Sequence, residues 1–141
     1  DVIESKVIRE INNTKNKYAS TCLAIRPDRS SFATADYGGE SWIYLWETKT
    51  GNLIGSFKGH KNDVTSLDFS PNGNFLVSCA KDNTIRLWDA NSKKTIKVLK
   101  GHTDNVNCVK FSPDGQYIAS CSDDETIRIW SFQDCFKDEK K

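Results

Sequence analysis

Histidine is nearly missing from this chain of 141 residues, with only His60 and His102. The five cysteines, Cys22, Cys79, Cys108, Cys121 and Cys135, form no CxxC pair and have no histidine at metal-ligand spacing, which argues against a zinc site. The chain also lacks a P-loop, the glycine pattern of a dinucleotide fold, an HExxH pair and a nucleophile in a convincing setting. No enzyme class and no cofactor is therefore indicated. No apolar run approaches the roughly 20 residues of a membrane-spanning helix. Charge of one sign is absent too: 20 Lys and Arg stand against 19 Asp and Glu, so no whole-chain field gathers nucleic acid or an anionic membrane. An odd cysteine count without a signal peptide points to a reducing compartment, cytoplasm or nucleus. Because the first residue is Asp1 rather than Met, an upstream segment is expected to have been removed.

What the chain does have is self-similarity. GHKNDVTSLDFSPNGNFLVSCAKDNTIRLWD at 59–89 is followed at 101–131 by GHTDNVNCVKFSPDGQYIASCSDDETIRIWS, so His60 and His102 lie 42 residues apart. Gly59 aligns with Gly101, Pro71 with Pro113, Asp82 with Asp124 and Trp88 with Trp130. A weaker copy precedes them. Its Arg26-Pro27-Asp28 matches Ser70-Pro71-Asn72 and Ser112-Pro113-Asp114, each a turn that proline and Asn, Asp or Gly favour. Thr34, Ser78 and Ser120 follow at equal distance from those prolines, and Glu40, Asp82 and Asp124 precede Trp46, Trp88 and Trp130 at equal distance. The first copy is longer by two residues, within Asp36-Tyr37-Gly38-Gly39.

A period of about 40 to 45 residues, with Gly-His near its start and a tryptophan at its end, resembles the WD40 repeat family. The resemblance implies an all-β fold of three four-stranded antiparallel propeller blades. Repeat one is placed at 7–47, repeat two at 51–89 and repeat three at 93–131, with 132–141 a charged tail. Strand segments SWIYLW, TIRLW and TIRIW carry apolar residues on both faces, as sheets stacked between neighbours require. Cys22 with Cys108, and Cys79 with Cys121, occupy recurrent positions expected to be small buried core sites.

His60, Ser78 and Asp82 have the composition of a hydrolase triad, and His102, Ser120 and Asp124 repeat it. A triad is needed once and gains nothing from being copied at a fixed period. The family resemblance implies instead buried hydrogen-bonded tetrads: His60, Ser78, Asp82, Trp88 and His102, Ser120, Asp124, Trp130. In the first copy Thr34, Glu40 and Trp46 fill three places, while Asn12-Asn13-Thr14 stands where Gly-His would be, leaving that tetrad incomplete.

Function on such a scaffold resides in variable loops. The resemblance implies a non-catalytic protein-interaction scaffold whose exposed top face carries Lys61, Asn62, Asp63, Thr103, Asp104 and Asn105 from one loop set, and Tyr37, Lys81 and Asp123 from the other. Tyr37, beside Gly38-Gly39 in the lengthened loop, is the expected anchor for a protein or peptide partner. An RNA-binding surface is the alternative, but Asp63, Asp104 and Asp123 interrupt the lysines it would use. A third reading is an oligomerising subunit. Val7–Ile11 matches the outer-strand segments Leu53–Phe57 and Thr95–Leu99 with no inner strands before it, and no outer strand follows Trp130. A closed propeller needs about four to eight blades. The three blades are thus expected to belong to a longer chain, or to associate as two copies whose Val7–Ile11 strands complete each other's third blade.

Overall fold

The computed structural model describes residues 6–12 and 19–137. Among the described residues there are eleven strands, paired antiparallel, and one 3₁₀ turn. Ser20–Ile25 (β1), Ser31–Asp36 (β2), Ile43–Glu47 (β3) and Leu53–Phe57 (β4) form the first sheet in sequence order. Val64–Phe69 (β5), Phe75–Ala80 (β6), Ile85–Asp89 (β7) and Thr95–Leu99 (β8) form the second. Val106–Phe111 (β9), Tyr117–Ser122 (β10) and Ile127–Ser131 (β11) form the third, which among the described residues has three strands, in keeping with the lack of an outer-strand segment after Trp130. Each up-and-down sheet is a blade, and equivalent residues keep equivalent partners: Ser78 pairs with Arg86 as Ser120 pairs with Arg128.

Local chemistry explains the turns. In Ser70-Pro71-Asn72-Gly73, proline presets φ, the Gly73 N–H donates to the Ser70 carbonyl at 2.8 Å, and Gly73 adopts φ +73°. Gly115 repeats this, but blade one carries Arg29 there with φ +63°. A left-handed conformation costs a side-chain-bearing residue about 1–2 kcal/mol. Arg29 is exposed. Arg29→Gly is therefore expected to raise stability by about 0.5–1 kcal/mol, the strain relieved less the extra freedom glycine gives the unfolded chain. A higher urea midpoint with unchanged slope would show it.

The sheets stack through their inner strands. Thr21 Oγ1 of β1 donates to the Val64 carbonyl of β5 at 3.2 Å, and the equivalent Thr65 donates to the Val106 carbonyl of β9. Asp68 Oδ2 further accepts the Phe111 N–H at 2.8 Å, tying blades two and three. Between the sheets lie two apolar clusters. One joins Ile43, Leu45 and Phe57 of blade one to Leu67, Leu76 and Trp88 of blade two. The other joins Ile85, Leu87 and Leu99 of blade two to Val106, Val109 and Ile118 of blade three.

Burial follows position in the stack. Ile85 and Leu87 are 0 % exposed because blade three covers them, whereas the equivalent Ile127 and Ile129 are 78 % and 65 % exposed. At the other end Leu23 and Ile25 are 56 % and 61 % exposed, where Leu67 and Phe69 of blade two are buried.

Three expectations are modified. Val7–Ile11 forms no strand: it lies against blade one, where Arg9 Nη2 donates to the Lys49 carbonyl at 3.0 Å and the Ile11 side chain approaches Gly51. Its proposed partner edge, β11, is at the far end of the same array, out of reach within one chain. Residues after Ser131 are not all solvated tail, since Gln133–Phe136 forms the 3₁₀ turn and buries Cys135. Phe132 stacks edge-on with Phe75, Phe111 and Phe136 at 5.1–5.7 Å, which clamps this segment against blades two and three. The thiols are all free, but only Cys79 and Cys135 are buried. Cys22, Cys108 and Cys121 are partly exposed, because in the two end blades one flank lacks a neighbour.

Candidate functional site

In blade two, the Asp82-Asn83-Thr84 turn between β6 and β7 fixes a carboxylate beneath the Gly59-His60 loop. Asp82 Oδ1 accepts the Thr84 N–H at 3.0 Å and its hydroxyl at 2.7 Å. Asp82 Oδ2 accepts the Lys61 N–H at 3.0 Å and faces His60 Nδ1 at 2.9 Å. His60 Nε2 lies 2.7 Å from Ser78 Oγ, which also receives the Trp88 indole N–H at 2.8 Å. With the Nδ1–H donated to Asp82, the ring accepts the serine proton at Nε2, and every polar atom of the relay has a partner. Blade three reproduces the set. His102 Nδ1 is 2.6 Å from Asp124 and Nε2 is 2.8 Å from Ser120, while Trp130 Nε1 donates to Ser120 at 2.9 Å.

Burial opposes ionisation of Asp82, but the hydrogen bonds from His60, the Lys61 N–H and Thr84 outweigh it and hold the carboxyl well below its usual range. Desolvation is likewise overcome at Asp124 by Thr126, His102 and the Thr103 N–H.

These distances would also suit a serine nucleophile and its base. Access decides against that reading. Ser78 is 0 % exposed and Ser120 3 %, each hydroxyl lies under an indole that donates to it, and no substrate carbonyl can approach. Burial likewise pushes the Cys79 thiol up to about 12, which keeps it protonated and unreactive. Among the described residues no group of three or more His, Cys, Asp or Glu is placed to hold a metal ion.

Blade one keeps half of the arrangement. Trp46 Nε1 donates to Thr34 Oγ1 at 2.9 Å. Glu40 is exposed and bonds to neither, a correction to its place in a tetrad: without a histidine no ring bridges the carboxylate to the hydroxyl. Asn12 is exposed; Asn13 and Thr14 lie outside the described residues.

The top-face candidates fall into equivalent places. The N–H groups of Tyr37, Lys81 and Asp123, one per blade, donate to the carbonyls of Ala19, Asp63 and Asn105 at 2.9–3.0 Å, just before each inner strand. Tyr37 is 52 % exposed, and Lys81 Nζ sits 4.9 Å from its ring centroid. Asp63 joins the two loops, accepting from Lys81 Nζ at 3.2 Å and from the Gly38 N–H at 3.0 Å. Asp123 instead accepts from Asn105 and Asn107. Lys61, Asn62, Thr103 and Asp104 are exposed around these groups, and Asp104 caps its own loop through the Asn105 N–H.

Sequence reasoning passed over Arg86 and Arg128. Arg86 lies 5.8 Å from the Trp88 ring, and a Cβ added at Gly59 would come within 2.6 Å of its guanidinium. Gly101 makes the same room for Arg128, with 2.8 Å. The glycine of each Gly-His pair therefore admits an arginine, and the signal was the repeated Thr-Ile-Arg.

Three stacked up-and-down sheets with a tryptophan-serine-histidine-aspartate relay in two of them are matched by a family model described as "WD domain, G-beta repeat" over residues 51–89 and 93–131. The chain belongs to the WD40 repeat family. It is 36 % identical over 66 residues to a periodic tryptophan protein 2 homolog of Neurospora crassa, covering 47 % of this chain and 7 % of that protein. It is 38 % identical over 65 residues to the serine-threonine kinase receptor-associated protein of Dictyostelium discoideum, covering 46 % of this chain and 22 % of the relative. A pre-mRNA-processing factor 19 homolog of Arabidopsis thaliana is 27 % identical over 82 residues, covering 58 % and 15 %. The matches thus span under a quarter of each relative's length. Among the described residues no helix of this WD40 chain is long and apolar enough to cross a membrane.

Proposed function

We propose that this WD40 chain is a non-catalytic protein-interaction scaffold inside the cell, capturing a protein or peptide partner on its top face. The observation that carries the reading is Tyr37: a half-exposed aromatic beside Gly38, held by its own N–H and flanked by the Lys81 ammonium and the Asp63 carboxylate. A rigid aromatic within fixed polar groups suits an interface anchor, because little side-chain freedom remains to be lost on binding. Family membership and relatives named for roles around receptors and pre-mRNA support the scaffold class.

Tyr37→Ala with Lys81→Ala and Asp123→Ala is expected to weaken partner capture at least tenfold, since hot-spot truncations cost about 2 kcal/mol or more. All three side chains lie outside the apolar clusters, so the melting profile should be retained. Quantitative comparison of proteins retained by parent and variant tests it, and identical sets would move partner binding off this face.

Self-association is a second reading, favoured by the apolar flanks at both ends of the array. Ile127 and Ile129 of one copy would meet Leu23 and Ile25 of another, as Ile85 and Leu87 meet blade three within the chain. Beside β11, a groove of about 910 Å³, with Ile96, Leu99, Trp130 and Phe136 in its wall and Lys97, Lys100 and Lys137 also lining it, offers room for an added strand such as the segment carrying the exposed Val7 and Ile8 of a second copy.

A further inference from the structure

At the outer rim of blade two, Lys61, Asp82, Thr84, Arg86, Val98 and Lys100 enclose a cavity of about 370 Å³. We infer that this cavity is a binding site for a phosphate dianion, distinct from the top-face anchor at Tyr37. Three cationic side chains line it, from the loop after His60, from the middle of β7 and from the end of β8. Arg86 is held there unsatisfied. Its buried Nε has no hydrogen-bond partner, its Nη1 reaches only Thr95 Oγ1 at 3.5 Å, and among the described residues no carboxylate lies within ion-pair distance. Stacking beside Trp88 and the gap left by Gly59 fix the guanidinium plane without neutralising it. An immobilised guanidinium with free N–H groups is the arrangement that binds planar faces of oxyanions, and two lysines add charge from either side.

The one carboxylate in the wall does not compete for these cations. Both oxygens of Asp82 are occupied, Oδ1 by Thr84 and Oδ2 by His60 and the Lys61 N–H. The other blades lack the combination. Blade three keeps Arg128, also with an unpartnered Nε, but has Thr103 in place of Lys61 and, among the described residues, no outer strand to supply the second lysine. Blade one has Tyr44 where Arg86 would be, between Trp42 and Trp46. Cations are thus concentrated in one rim pocket while the net charge of the chain is +1. Val98 and the lysine stems give it an apolar side, which suits a phosphate attached to carbon.

The test is a titration of the isotope-labelled chain with inorganic phosphate and, separately, with a short phosphoserine peptide and its unphosphorylated form, at matched ionic strength. Perturbation centred on the Arg86 side-chain N–H and the Gly59 and Lys61 amides is expected, with Arg128 as an internal control that does not respond. Lys61→Ala combined with Lys100→Ala should weaken binding about tenfold, and both side chains are exposed, so folding is preserved. Tighter binding of the phosphoserine peptide than of inorganic phosphate assigns the site to a phosphorylated chain, and the reverse order assigns it to the free anion. Equal response of Arg86 and Arg128, or none at Arg86 with either probe, overturns the proposal. Loss of partner capture in the Tyr37 variant does not bear on it, because none of Tyr37, Lys81 and Asp123 lines the cavity.

Discussion

Asp82→Ala should destabilise the chain by about 1–3 kcal/mol, because it leaves the buried His60 ring and the Lys61 and Thr84 N–H groups without the acceptor they share. The Asp82 side chain is only 9 % exposed and that of His60 0 %, so solvent cannot fully replace the lost bonds. Asp82→Asn is the milder comparison, since an amide oxygen still accepts. The same carboxylate imposes a pH dependence. Its folded pKa is depressed below the ordinary 3.8, so its contribution is complete above that value and disappears as pH falls beneath it and the carboxylate protonates. Urea unfolding of parent and Asp82→Ala at neutral pH and under acid should therefore show two curves that converge as the parent loses the interaction. Esterase and peptidase assays run alongside test the chemistry. Hydrolysis by the parent that Asp82→Ala abolished without destabilisation would overturn the structural reading of the relay.

The second large effect concerns association. Sedimentation of the parent is expected to show self-association, and Ile127→Lys with Ile129→Lys should weaken it at least a hundredfold. Covering two such side chains is worth roughly 3 kcal/mol or more. Leu23→Lys with Ile25→Lys should do the same from the opposite flank. The two flanks are different surfaces, so the contact is heterologous, and a ring of two copies contains it twice. Mixing the two variants should then restore one of the two contacts, the one in which both flanks are unmodified. A folded parent that stays monomeric at high concentration would exclude the two-copy ring.

How much of this could be read from the chain itself differs from residue to residue. Strand order and turn positions were legible because Pro71-Asn72-Gly73 and Pro113-Asp114-Gly115 are local signals, and a 42-residue offset between His60 and His102 leaves little freedom in register. Residues of the two relays were legible for the same reason, each being fixed by counting from a proline or a tryptophan. Glu40 was misplaced because counting records positions and not partners: with no histidine to bridge to Thr34, its side chain turns to solvent. The unpartnered Nε of Arg86 was invisible, since an arginine inside an apolar strand reads only as an amphipathic stem. Phe132 and Phe136 were hidden by the charged residues that follow them. Their packing on Phe75 links parts of the sequence that no periodicity connects.

The Thr21 and Thr65 bridges between inner strands have a geometrical corollary. They pin neighbouring sheets together along one margin at hydrogen-bond separation. At the opposite margin the sheets are propped apart by whatever side chain sits between them, Phe57 against Trp88 at 5.6 Å in one gap and Leu99 beside Trp130 in the next. Two plates pinned along one side and propped along the other make a wedge, and its opening angle is set by the volume of the prop. Curvature of the array, and with it the number of sheets that would close a ring, is then a quantity of rim side-chain size rather than of loop length. A threonine does not recur at the third inner strand: Asn107 stands there and turns its amide to Asp123, so the line of pins ends at blade three.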